Sequence, residues 1–411
     1  MNILVELRTR GVLKQVSNEE KFLSLPKGTA IYAGFDPTAT SLHLGNYIQI
    51  TTLLRFKEFG YKVYALVGGA TGMIGDPSFK SAERQLLDDS VVVQNKNNIK
   101  KQLEKYGLEV VDNYDFYKNM NILEFLRDAG KLVNVSYMLT KDSISNRIDK
   151  GLSFTEFSYT LIQGWDFLHL YNTKDVFVQL GGSDQWGNLT TGLDMISKVH
   201  GDQHKAVVLT SNLLTDENDV KFGKSTGGGS LWLDPELTKP YNMYQFLINQ
   251  PDSQIEKLLR WLTFLTIPQV LKIMAVHNQN PSLRYAQKKL AYQVISQVHS
   301  IEAAEKAQTL SNILFNKDFN FDDLNETQVA SIYGEIESIE LKKNSNLIES
   351  LIELGILKSK REAREFIETN SIKVNGIPVQ ETQVVESELY EGKYLFLNIG
   401  KKKLFLAKLK R

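Results

Sequence analysis

Two short motifs could hold a triphosphate between them. His43-Leu44-Gly45-Asn46 follows a predicted strand and opens a helix, and Lys221-Phe222-Gly223-Lys224-Ser225 comes much later, just before Gly227-Gly228-Gly229. A helix N-terminus offers unpaired backbone N–H groups and the positive end of the helix dipole to an anion. Gly45 lets a flat group approach the backbone closely. His43 and Asn46 can donate hydrogen bonds to phosphate or ribose oxygens, and Thr38 adds a hydroxyl just upstream. Lys221 and Lys224 flank a glycine, so both ammonium groups can reach one polyphosphate, with the Ser225 hydroxyl beside them. The glycine run beyond would let such a loop close after binding. Holding ATP from two sides is what activating a carboxylate as an adenylate requires. Taken singly, the first motif also reads as a helix start with incidental polar residues, and the second as a solvated basic turn.

Three further constellations could supply the acceptor of that chemistry. Tyr159, Gln163 and Asp166 are spaced i, i+4, i+7 and share one helix face, while Phe154, Phe157, Leu161, Ile162, Trp165 and Leu168 make much of the rest apolar. Polar groups on a buried helix are costly without partners. A substrate carrying an amine, a carboxylate or a hydroxyl could provide them; a buried structural network is the other reading. Gly181-Gly182-Ser183-Asp184-Gln185 follows the apolar run Val176 to Leu180. Asp184 is placed to bind a ribose, and Gln185 could reach either substrate. In the turn 72–80, Asp76 suits an ammonium group. Lys80 and Arg84 could swing onto a pyrophosphate, or be ordinary surface charges.

The elements that must position these residues alternate. Strands are predicted at 29–35, 62–68, 108–114, 175–180 and 206–210. Helices are predicted at 44–59, 91–105, 121–129, 138–149, 153–171 and 184–199. This order predicts a Rossmann-like parallel α/β sheet covered on both faces, with ligands beyond the carboxyl ends of its strands. The glycines at 34, 68–69 and 181–182 fall at those ends. From about Pro240 the pattern becomes helical, and after a polar stretch it becomes a compact α+β unit with turns at Asn375-Gly376 and Glu391-Gly392. The expected domains are a catalytic domain over 1–238, an all-helical domain over 239–325, a linker over 326–342 and a small α+β domain over 343–411.

Composition narrows the class. With 411 residues, 42% hydrophobic and 23% charged, the chain has the make-up of a multidomain globular protein. No cysteine is present, which excludes disulfides, thiolate metal sites and a cysteine nucleophile, and the six His residues show no zinc spacing. No apolar run is long enough to span a membrane, and the first residues do not read as a secretory signal, so a cytoplasmic location is expected. Lys+Arg and Asp+Glu both number 48, but from Lys342 onward fourteen basic residues face nine glutamates. That basic excess suits an anionic macromolecule, or a solubilising tail.

Together these segments resemble the bacterial tyrosyl-tRNA synthetases, and the resemblance spans nearly the whole chain. The first motif is similar to the His-Ile-Gly-His signature of class I aminoacyl-tRNA synthetases. The second is similar to Lys-Met-Ser-Lys-Ser in the Lys-Phe-Gly-Lys form of the tyrosyl enzymes. Tyr32 to Thr38, Val67 to Gly72, Gly75 to Ser78, Ser153 to Tyr159 and Gly181 to Asn188 also match. The resemblance implies activation of L-tyrosine by ATP with Mg²⁺, without a dedicated protein metal site, then transfer to the tRNA for tyrosine. It implies that Tyr32 and Asp166 bind the phenolic hydroxyl, that Asp76, Tyr159 and Gln163 hold the ammonium, and that Asp36 and Gln185 complete the tyrosine site. Thr38, His43 and Asn46 would contact ATP, and Ala33, Gly34, Gly45, Gly182 and Asp184 would line its site. Lys80, Arg84, Lys221, Lys224 and Ser225 would close on the pyrophosphate. A site that hydrogen-bonds a hydroxyl rejects a ligand lacking it, and tyrosyl enzymes are themselves the standard illustration, rejecting phenylalanine by about 10⁵ without editing. The segment from Ser359 resembles a ribosomal-protein-type RNA-binding module (the alpha-L motif), in which Lys360, Arg361 and Arg364 would meet tRNA phosphates. A homodimer is implied as well. The chain departs from the pattern at Asn46, which replaces a His but keeps a donor, at Phe79, where Gly is usual, and at Asn370, where a left-handed turn is expected. A tryptophanyl enzyme, an RNA-binding protein without activation chemistry and a small-molecule nucleotidyltransferase are the alternatives.

Overall fold

The computed structural model describes residues 2–76, 87–141, 144–145, 148, 151–215, 230–315, 319–400 and 403–410. Two compact units emerge: Met1–Lys239 with Phe246–Leu290, and Pro240–Gln245 with Ala291–Arg411. The helical stretch expected as a domain of its own is therefore divided between them.

The first unit is built on a six-stranded sheet in the order β1-β6-β5-β2-β3-β4. Its strands are β1 (Leu13–Val16), β2 (Ala30–Phe35), β3 (Lys62–Val67), β4 (Glu109–Asp112), β5 (Val176–Gly182) and β6 (Val207–Ser211). The run from β6 to β4 is parallel, whereas β1 adds to β6 antiparallel at the edge. β1 was not predicted, because Lys14 and Gln15 leave it no apolar run. β2 is flanked by β3 on one side and β5 on the other, so the strand order reverses there. At such a reversal the connections leave in opposite directions and open a crevice beyond the strand ends. In the register of the sheet, Tyr32 sits opposite Tyr64 and Gln179.

The helices that frame the crevice are α1 (Ile3–Arg10), α2 (Leu44–Glu58), α3 (Asp89–Lys105), α4 (Tyr114–Tyr117), α5 (Phe154–Lys174), α6 (Trp186–His200) and α7 (Asp252–Leu262). α2 buries Leu44, Tyr47, Ile48, Ile50, Leu53 and Phe56, and its Thr51, Thr52 and Arg55 are buried as well. A helix covered on nearly all sides is an interior helix. α5 starts at Ser153, whose side chain accepts from the Glu156 N–H at 3.2 Å. Its inner face packs Leu161, Phe167, Leu168 and Leu170 into one core with Tyr32, Leu189, Met195 and Val208.

Two arginines bind the far end of α7. Arg10 donates to the carbonyls of Arg260 and Leu265, both at 3.0 Å. Arg55 donates to Trp261 O at 3.0 Å and Thr263 O at 2.7 Å. These bonds satisfy carbonyls that a helix C-terminus leaves without intrahelical partners. Arg55 is only 1% exposed, and burial lowers its pKa to about 9.

The second unit carries a five-stranded sheet in the order β7-β11-β10-β8-β9. Its strands are β7 (Glu337–Lys342), β8 (Ile372–Val374), β9 (Ile377–Pro378), β10 (Tyr394–Ile399) and β11 (Lys403–Lys410), with helices α8 (Glu326–Ile332), α9 (Leu347–Glu353) and α10 (Lys360–Glu368). Leu347, Leu351 and Ala363 pack against Leu395, Leu397 and Ala407. Residues 326–342 are thus α8 and β7 rather than a linker. β7 pairs parallel with β11 at the sheet edge, where Glu337, Glu340 and Lys342 face solvent and make the strand read as polar connector. Asn370 has φ 51°, left-handed as its position required.

Candidate active site

A cavity of ≈ 330 Å³ opens at the carboxyl ends of β2 and β5. Tyr32, Gly34, Asp36, Thr38, His43, Gly45, Asn46, Asp76, Tyr159, Gln163, Asp166, Gly182, Asp184 and Gln185 all line it. Ala33 does not. Alternation along β2 sends Tyr32 and Gly34 to one face and Ala33 to the other, where it is fully buried. Lys80, Arg84, Lys221, Lys224 and Ser225, and with them Phe79, lie outside the described residues.

One end of the cavity is a buried polar network. Asp166, 1% exposed, receives a hydrogen bond from Asn113 Nδ2 at 2.9 Å and one from the Tyr117 hydroxyl at 2.6 Å. Burial pushes its pKa up to about 7, against the pull of those two donors, and the carboxylates of Asp36 and Asp112 add to the rise. The Tyr32 hydroxyl is buried and finds no hydrogen-bond partner among the described residues, nor do Gln163 Oε1 and Gln179 Oε1. Such orphaned groups are costly unless a ligand completes them. Burial and the nearby Asp166 raise the Tyr32 pKa well above its ordinary value, so it stays a neutral donor.

Beside this network lies a chain of carboxylates and amides. Asp36 accepts from Thr71 Oγ1 and from the Tyr159 hydroxyl, both at 2.7 Å. Gln185 Nε2 donates to Asp76 at 2.9 Å, and Asn188 Nδ2 donates to Gln185 Oε1 at 3.0 Å. Gly68 is required here: a Cβ on it would lie 2.1 Å from Asp36 Oδ1. Gly182 likewise makes room for Asp184, whose Oδ1 would meet a Cβ at 2.6 Å.

The other end of the cavity is the N-terminus of α2. The backbone N–H of His43 donates to Asn46 Oδ1 at 3.1 Å, closing the first turn on itself and committing the Asn46 oxygen to the backbone. Leu44 N–H donates to Leu231 O and Leu233 N–H to Leu42 O, both at 2.8 Å. The His43 ring lies against Trp232, with centroids 6.2 Å apart. The first motif is thereby tied to the segment directly after the second.

Several residues of the site were not expected from the sequence. Tyr117, Asn113 and Thr71 support the carboxylates, and Gln49, Gln179 and Asn212 line the cavity. The one available signal was position: Asn113 and Tyr117 follow β4 as Gly68 and Gly69 follow β3. In the second unit, Lys360, Arg361 and Arg364 are exposed and paired with Glu349 at 2.8 Å, Glu365 at 3.5 Å and Glu381 at 3.0 Å. Exposed pairs of this kind are weak, so a phosphate can displace the glutamate.

A family model described as tRNA synthetases class I (W and Y) matches residues 26–316, and the chain belongs to that family. A second, described as the tyrosine–tRNA ligase SYY-like C-terminal domain, matches residues 328–407. The chain is 58% identical over 408 residues to the tyrosine–tRNA ligase of Mycoplasmopsis synoviae, covering 99% of each. It is 52% identical to that of Mycoplasmopsis agalactiae, covering 99% of this chain and 100% of the relative. A C-terminally truncated mitochondrial tyrosyl-tRNA synthetase from Aspergillus nidulans superposes with TM-score 0.69 at 31% identity, covering 76% of this chain and 94% of that one. Within the class, the chain falls among the tyrosine–tRNA ligases.

Proposed function

We propose that the cavity binds L-tyrosine and ATP end to end and forms tyrosyl-adenylate, which is then passed to the 3′ end of the tRNA for tyrosine. The observation that carries this reading is the buried, unpartnered Tyr32 hydroxyl beside Asp166, at the opposite end of one cavity from the N-terminus of α2. Tyr32 and Asp166 read the phenol. Asp76, Tyr159 and Gln163 hold the ammonium, with Asp36 and Gln185 beside it. Asp184 takes the ribose, Gly34, Gly45 and Gly182 let the nucleotide approach the backbone, and Thr38, His43 and Asn46 meet the phosphates.

The carboxylate attacks the α-phosphorus in line, and pyrophosphate leaves as the new anhydride bond forms. The ribose hydroxyl of tRNA then attacks the tyrosyl carbonyl and AMP leaves. No protein nucleophile takes part, so the protein acts by alignment and by stabilising charge as oxygens crowd phosphorus. Lys80, Arg84, Lys221, Lys224 and Ser225 carry the pyrophosphate share of that task in this reading. Mg²⁺ would arrive on the ATP phosphates. There it would neutralise charge on the leaving group.

Lys360, Arg361 and Arg364 bind tRNA backbone in the second unit. A homodimer is supported by apolar side chains left exposed between residues 122 and 154, among them Leu123 at 74% and Phe154 at 73%. A cytoplasmic location accords with the family, and no helix among the described residues is long and apolar enough to cross a membrane. Tyrosine-dependent ATP–pyrophosphate exchange without tRNA, run beside phenylalanine and tryptophan, tests the reading. Exchange with tyrosine alone supports it; exchange with none, or preference for another amino acid, rejects the assignment of Tyr32 and Asp166.

A further inference from the structure

Tyr117 occupies an unusual place. Its hydroxyl lies 2.6 Å from Asp166 Oδ1 and 2.8 Å from the backbone oxygen of Ile162. A phenol has one proton, and both neighbours are acceptors in their ordinary states. Either the proton is divided between them, or Asp166 holds a proton of its own, gives it to the Tyr117 oxygen, and Tyr117 gives its proton to Ile162. The second Asp166 oxygen is engaged by Asn113, which also donates to Thr71 Oγ1 at 3.2 Å. Asp166 is thus gripped at both oxygens by side chains from the segment after β4. Neither Asn113 nor Tyr117 lines the cavity, whereas Asp166 does.

We propose that Tyr117 is a positioning residue for amino-acid selection, its hydroxyl setting the aim of Asp166 at the ligand's phenol. The inference rests on the reading of Asp166 as the phenol acceptor. The ionisable groups facing Asp166 are Tyr32 from β2, Asp36 just beyond it, Asp112 at the end of β4 and Tyr117 itself. Asp112 is balanced by Lys96 at 2.7 Å, and Asp36 is engaged by Thr71 and Tyr159. Against burial and these acids, the hydrogen bonds from Asn113 and Tyr117 are what favour the ionised form of Asp166. Removing the Tyr117 hydroxyl takes away one of them, so Asp166 stays protonated to higher pH.

Tyr117→Phe, Tyr117→Leu and Asp166→Asn are compared with the parent chain by pyrophosphate exchange between pH 6 and 9. Tyr117→Phe should raise the KM for tyrosine about ten-fold or more, as loss of a hydrogen bond to a charged group does. It should move the acid limb of the tyrosine kcat/KM profile to higher pH, narrow the discrimination against phenylalanine, and leave the KM for ATP nearly unchanged. Tyr117→Leu, which also lacks the hydroxyl but packs differently, should move the same limb. An unmoved limb with unchanged tyrosine KM overturns the inference, as does an equal loss in kcat and in both KM values, the mark of a merely structural role. Asp166→Asn separates the two levels. If it still rejects phenylalanine, the reading of the site fails; if it loses discrimination while Tyr117→Phe keeps it, only the role of Tyr117 falls.

Discussion

The two ends of the cavity differ in what holds their side chains. At the end proposed for the amino acid, Asp166 and Tyr32 project from a buried helix and a central strand, and Asp166 is held by Asn113 and Tyr117. At the end proposed for the phosphates, His43 and Asn46 come from a turn and a helix N-terminus, pinned by the bond from His43 N–H to Asn46 Oδ1 and by backbone bonds from Leu44 to Leu231 and from Leu233 to Leu42. The cationic residues assigned to that end lie in separate segments of the chain. The difference separates two tasks. Selecting a hydroxyl needs a fixed acceptor in a dry place, where an unmatched ligand leaves a polar group stranded. Stabilising a pyrophosphate needs charge brought up around it as the reaction proceeds.

That separation can be broken by substitution. Asp166→Ala should have the largest effect, lowering kcat/KM for tyrosine by about 10³ through the lost charged acceptor and the donors left unpaired. Discrimination against phenylalanine should collapse while the KM for ATP holds; parallel assays with both amino acids check this. His43→Ala should lower kcat by about 10²–10³ with little change in tyrosine KM, as expected of a group that acts in the transition state. A large rise in tyrosine KM for that variant would erase the distinction between the ends.

Proton activity sharpens the contrast further. A carboxyl whose pKa is raised in the folded state favours folding most at low pH, and that contribution is lost as pH rises through the folded value, here about 7. In the proposed site tyrosine binding runs the other way, because the phenol would donate to the ionised acid. The tyrosine KM should therefore fall several-fold between pH 6 and 8, with a smaller trend in the ATP KM, measured in the same exchange assay. The smallest effect is expected far from the cavity. Replacing Lys360, Arg361 and Arg364 together by Ala should weaken tRNA binding several-fold and reduce its salt slope by about one for each phosphate no longer neutralised. A filter-binding series in salt measures both.

The same contrast explains what could be read from the chain alone. Buried parallel strands are continuous apolar runs bounded by glycine, so β2, β3 and β5 and the residues at their ends stand out. Tyr159, Gln163 and Asp166 stand out because a polar stripe on an apolar helix breaks the period. The edge strands β1 and β7 do not, since Lys14, Gln15, Glu337 and Glu340 make them resemble connectors. Asn113 and Tyr117 were hidden for another reason. They touch the carboxylate rather than the cavity, and α4, with only four residues, has no period to reveal which side faces inward. Residues that meet the ligand leave a local signature; residues that aim those residues are visible only in three dimensions.

The grip of Arg10 and Arg55 on the end of α7 has a consequence for how the protein is made. The carbonyl that Arg10 needs at Arg260 lies 250 residues further along the chain. At synthesis rates of about 5–20 residues per second, the N-terminal helix waits roughly 12–50 s for its partner to be translated. Through that interval Arg10 has only its helical neighbour Glu6, and Arg55 lacks the carbonyls of Trp261 and Thr263, so the nascent chain stays open at this seam. The catalytic unit can therefore seal only after the ribosome has passed Leu265, well beyond the last strand of its sheet.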